Sequence, residues 1–108
     1  MPRMDKIGTH KTRVLESTNG HFSIHYHNTE VFRREGDHVI LRTGGWRSLT
    51  TKTRMNQAAR ALNLPFQVRQ SKWEWFIEIR PLASPDTPVT LPFLHDGIKF
   101  NIRTGELA

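Results

Sequence analysis

The sequence predicts an α+β fold: an antiparallel β-meander or sheet of six to eight strands, with one helix inserted near the middle at about residues 51–63. Six segments alternate apolar and polar side chains with period two, the pattern of a strand with one face buried, and short turn signals separate most of them. One segment only, around Met55, repeats its apolar residues at helical spacing. At 108 residues and 36% hydrophobic content, the chain has the size and composition of one folded unit. It divides into a flexible basic N-terminal arm at 1–10 and a single α+β domain at 11–108.

The elements follow in order. "TRVLES", from Thr12, is the first strand, and Asn19-Gly20 is a strong two-residue hairpin signal. "HFSIHYH" then alternates, with Phe22, Ile24 and Tyr26 on one face and His21, Ser23, His25 and His27 on the other. Asn28-Thr29 turns into "EVFRRE", and Glu35-Gly36-Asp37 turns into "HVILRT", which completes a four-strand meander. Met55, Ala58, Ala59 and Leu62 form the apolar stripe of the helix. Thr50 or Thr51 is the expected N-cap, and Pro65 stops the helix because the residue before a proline is pushed out of α space. "FQVRQ" and "KWEWFIEIR" are the next strands. The second places Trp73, Trp75, Ile77 and Ile79 on one face and Glu74, Phe76 and Glu78 on the other. "PLASPDTPVTLP" holds four of the six prolines and reads as an extended loop over 81–92. Asp96-Gly97 is expected to close a last hairpin, with Ile98, Phe100 and Ile102 facing inward.

Composition excludes several functions. Without cysteine there is no disulfide, no thiolate nucleophile and no Cys-based zinc site. No run reaches the roughly 18 apolar residues of a membrane span. The opening residues lack the apolar stretch of a signal peptide, so a cytoplasmic location is expected. Sixteen basic against 10 acidic residues leave a net charge of +6. That balance favours an anionic partner: a nucleic acid, a nucleotide or an acidic host protein surface. A single helix excludes helix-turn-helix and homeodomain docking, and no RNP-type aromatic motif marks an RRM.

The candidate binding segment lies between Gly44 and Arg60. A helix N-terminus presents free N–H groups and partial positive charge, so it can hold a phosphate. Gly44 and Gly45 would let the backbone approach closely, and Trp46 could stack on a base. Arg47, Lys52 and Arg54 add charge and are expected to be solvated. Thr50 and Thr51 open the helix, and Lys52, Asn56 and Arg60 recur every four residues as a polar stripe. The same residues also make an ordinary strand-to-helix turn, and the two readings stand level. The spacing is not that of a P-loop. His25 and His27, two apart on one strand face, read as solvated imidazoles, because a zinc site needs at least three ligands; no metal and no cofactor are expected. Trp73 and Trp75 read as core packing ahead of a stacking platform. Glu74 and Glu78 lie roughly 13 Å apart along a strand, too far for a carboxylate pair, so no catalytic residue is assigned.

"VILRTGGWRSLTTKTRMNQAA", followed by "VRQSKWEWFI" and "HDGIKF", resembles a set of small tailed-phage proteins. Their pattern, [TS]-G-G-W followed by T-T-K-x-R-[MI]-N and a strand with Trp-Phe or Trp-Tyr, falls here on Thr43–Trp46, Thr50–Lys52, Arg54–Asn56 and Trp75-Phe76. The resemblance covers about residues 21–103, and leaves the arm and the proline-rich loop as features particular to this chain. It implies a phage origin and carries no activity, cofactor or catalytic residue. Together with the charge it leads to a small phage-encoded accessory protein, not an enzyme, that binds phosphate groups of a nucleic acid or nucleotide in the infected cell. The alternatives are an anti-defence inhibitor acting by protein contact, such as an anti-CRISPR protein, a nucleotide-signal sponge and, more distantly, a small hydrolase.

Overall fold

A computed structural model of the chain describes residues 12–16, 21–45 and 48–108. Eight strands and one helix follow one another: β1 (Thr12–Glu16), β2 (Phe22–Tyr26), β3 (Thr29–Glu35), β4 (His38–Leu41), α1 (Leu49–Ala61), β5 (Phe66–Ser71), β6 (Glu74–Ile79), β7 (Val89–Pro92) and β8 (Ile98–Asn101). The α+β architecture is the expected one. The four-strand meander forms in order and is extended by β8, giving a five-stranded sheet β1-β2-β3-β4-β8; the second sheet is β5-β6-β7. The expected arm at 1–10 and the Asn19-Gly20 turn lie outside the described residues.

The two sheets and α1 share one apolar core. Phe22, Ile24, Phe32, Val39, Leu41, Ile98 and Phe100 enter it from the larger sheet, and Phe66, Val68, Trp75, Ile77 and Ile79 from the smaller. The Phe66 ring joins them, stacked 6.3 Å from Phe32 and edge-on 5.3 Å from Phe100. Met55, Ala58 and Ala59 of α1 are buried in the same cluster, as the helical stripe predicts. A bulge between Ile24 and His25 breaks the alternation, and the consecutive residues Val31 and Phe32 are both buried.

Several local expectations are corrected. The helix runs two residues earlier than 51–63, because Ser48 is the N-cap and not Thr50 or Thr51. Ser48 is extended, at φ −101 and ψ 158, and its Oγ accepts from the Thr51 N–H. At the other end Asn63 turns left-handed at φ 54. The Leu64 N–H then reaches the Ala59 carbonyl and the Asn63 N–H the Arg60 carbonyl, a complete Schellman closure directly after the stripe residue Leu62. Trp73 is not in a strand beside Trp75: it sits with Lys72 in the β5–β6 turn. His27 likewise leaves the strand for the β2–β3 turn, at φ 56, so His25 and His27 do not share a face. The segment 81–92 is loop only to Pro88; Val89–Pro92 pairs with β6 as an edge strand. Asp96-Gly97 closes no hairpin, because β7 and β8 belong to different sheets.

Two sheet edges are closed by the chain itself. The Asn56 carboxamide donates to the Val68 carbonyl (2.9 Å) and accepts from the Val68 N–H (2.7 Å), replacing a neighbouring peptide group along β5. Beyond β8, the Asn101 N–H reaches the Glu106 carbonyl and the Ala108 N–H reaches the Lys99 carbonyl, both at 2.9 Å. Among the described residues, no helix is long and apolar enough to cross a membrane.

Candidate functional site

The turn between β4 and α1 is built around an internal anion. Gly44 and Gly45 stand at φ 71 and 86, left-handed geometry that favours glycine. Gly44 also packs so closely on Thr29 that an added Cβ would lie 2.6 Å from Thr29 Oγ1. The amides turned inward by this geometry hold the Asp96 carboxylate. The Thr43 N–H and hydroxyl donate to Asp96 Oδ1, the hydroxyl at 2.7 Å, and the Gly44 N–H donates to Oδ2 at 2.8 Å. The Gly45 N–H donates to Thr43 Oγ1 at 3.1 Å. Partial burial pushes the Asp96 carboxyl up, but hydrogen bonds from Thr43 and the Gly44 and Gly45 backbones outweigh it and hold the group below its ordinary value. The Gly44 amide named by the sequence thus already has a carboxylate partner, and the Gly45 amide has the Thr43 hydroxyl.

Beside this turn lies a cleft of about 330 Å³ at the head of α1. The β2–β3 turn supplies Tyr26, His27 and Thr29, the β4–α1 turn supplies Thr43 and Gly44, and the helix head supplies Ser48, Thr50 and Thr51. Its lining is rich in hydroxyls and, among the described residues, includes no carboxylate, although Asp96 is bonded to Thr43 and Gly44 at its edge. The first turn of α1 also carries no acidic residue, although acids are favoured there by the helix dipole. Behind the Tyr26 wall sits Arg54, 8% exposed. Its guanidinium carbon is 5.8 Å from the Tyr26 ring centre, its Nε donates to Thr12 Oγ1 (3.0 Å) and its Nη1 to Gln57 Oε1 (3.2 Å). Among the described residues those partners are all neutral, so a buried positive charge lies close to the cleft without a carboxylate against it.

The ten candidate residues therefore separate. Gly44, Thr50 and Thr51 come together in the cleft. Gly45 turns the chain beside it. Arg54 backs the Tyr26 wall and is buried, not solvated as expected. Lys52 and Asn56 face the other way, towards β5: Lys52 Nζ is 3.3 Å from Gln70 Oε1, and Asn56 closes the β5 edge. Arg60 is exposed in the last helical turn, away from the cleft. Trp46 and Arg47 lie outside the described residues. Sequence reasoning missed Asp96, Ser48 and the contributions of Tyr26, His27 and Thr29. Ser48, three residues before Thr51, was readable as a cap; the others come from distant or adjacent strands and leave no local signal. Elsewhere, Glu30 gathers Arg42 (3.0 Å), Arg33 (3.5 Å) and His25 (3.6 Å) on the outer side of the larger sheet. Among the described residues, no three of His, Cys, Asp and Glu cluster as metal ligands would.

A family model described as Kyanoviridae Gp96 protein matches residues 2–101. The matched span takes in both the N-terminal residues from Pro2 and the loop at 81–92. No curated protein and no solved structure matches the chain.

Proposed function

Because the chain belongs to the Kyanoviridae Gp96 family of phage proteins, we propose that it is a phage-encoded accessory protein of the infected cell that acts by binding, without catalysis, and that its cleft takes a phosphate group of a nucleic acid or nucleotide. The electrostatics of the cleft carry this reading. Hydroxyl-bearing side chains and the head of α1 line it, the described lining holds no carboxylate, and the buried Arg54 charge stands behind Tyr26. The phosphate position moves from the glycine turn, where the Gly44 amide holds Asp96, to the helix head next to it.

Thr50→Glu tests this with opposite effects on fold and function. An acid in the first helical turn stabilises the dipole, so the unfolding midpoint should hold or rise, while the added charge repels a bound phosphate. Anisotropy of a labelled oligonucleotide and of a labelled nucleoside triphosphate should show binding that weakens between about 50 and about 200 mM salt and fails in the variant. Triphosphate binding alone would indicate a nucleotide sponge. If neither probe binds, the reading fails and an inhibitor acting by protein contact takes its place.

A further inference from the structure

The β5–β6 hairpin turns on Lys72 and Trp73, at φ 52 and 71, with Ser71 paired to Glu74. Two central residues at positive φ mark a type I′ turn, normally filled by Asn-Gly or Gly-Gly because a side chain is strained there. The position that most favours glycine here carries a tryptophan, and its side chain is 89% exposed. Trp75, by contrast, is 3% exposed and serves the core. Turn chemistry and burial both oppose a tryptophan at residue 73, and strain of this kind collects at functional sites.

The surroundings indicate the ligand. Lys72 shares the turn. Lys52 Nζ, 3.3 Å from Gln70 Oε1, sets the head of α1 against the tip end of this hairpin. The cleft opens on the same helix head through Thr50 and Thr51. An exposed indole and Lys72 thus share the hairpin tip, and Lys52, which faces β5 and not the cleft, stands near its base, with Glu74 as the acid of the turn.

We propose that Trp73 is a stacking finger for a base of single-stranded nucleic acid, with Lys72 and Lys52 against flanking phosphates. This rests on the reading of the cleft as a phosphate site and narrows its ligand to a single strand, whose base faces are free for an indole, as those of a duplex are not. The test compares a labelled single-stranded oligonucleotide, its duplex and a labelled nucleoside triphosphate, using wild type, Trp73→Gly, Lys72→Asn and Thr50→Glu. Wild type should prefer the single strand. Trp73→Gly should weaken single-strand binding about tenfold or more, leave duplex and triphosphate binding unchanged, and raise the unfolding midpoint, because glycine suits the turn. Its salt slope should stay, whereas Lys72→Asn should lower the slope by about one. Wild-type single-strand affinity in Trp73→Gly, with Thr50→Glu impaired, overturns the finger alone. Thr50→Glu without effect on any probe counts against the cleft, and no binding to any probe by wild type overturns both.

Discussion

At Asp96 two effects oppose each other: partial desolvation disfavours the carboxylate, and the hydrogen bonds of the Thr43–Gly45 turn favour it more strongly. The folded value therefore lies below the unfolded one of about 3.9. The resulting stability is fully present above the unfolded value and is lost as pH falls through the folded value. Because the group is largely solvent-exposed, its contribution is small: Asp96→Asn should cost about 1 kcal/mol at neutral pH. Urea melts at pH 7 should separate wild type from the variant, and the two should converge in acid. Arg54 should behave differently. Arg54→Ala removes the tie to Thr12 and the packing on Tyr26, and should cost about 1–3 kcal/mol; Arg54→Gln should cost less, and both should weaken anion binding. The glycine turn was legible in the sequence. Its occupant was not, since Asp96 lies 53 residues from Thr43 and periodicity reports only local order.

On the scale of the element, α1 shows why pattern and boundary differ in legibility. The stripe of Met55, Ala58 and Ala59 is set by burial and was readable. The ends are set by single hydrogen bonds at Ser48 and Asn63, which the stripe does not report. Asn56 read as part of a polar stripe and as a candidate ligand contact, yet it forms the seam between helix and sheet. Asn56→Ala should leave both Val68 backbone groups without this partner and cost about 2 kcal/mol, with faster hydrogen exchange at the Val68 amide as the specific sign. Trp73 was misplaced because alternation continues through the turn in sequence while the backbone reverses. The strand β7 was hidden by Pro88 just before it and Pro92 at its end, and prolines are tolerated at the ends of an edge strand.

For the molecule as a whole, the alternating segments gave the α+β class and the inward faces of β6 and β8, because one shared core imposes period two on every strand that touches it. Trp75, buried against Phe93 at 5.7 Å between ring centres, belongs to that core. Trp75→Ala should destabilise by about 3–5 kcal/mol in a urea melt. The division into two sheets was beyond the pattern, since nothing local tells β7 and β8 that they part company. The place of β8 also governs the order of assembly. Val39 of β4 pairs with Phe100, on the far side of the helix and the whole smaller sheet in sequence. During synthesis the meander therefore waits with an unpaired β4 margin until β8 has been made, and a bare strand margin is a template for neighbouring nascent chains. The high contact order this imposes favours slow folding. Overproduction on crowded ribosomes should accordingly send part of the protein into aggregates, and lower synthesis rates should recover it.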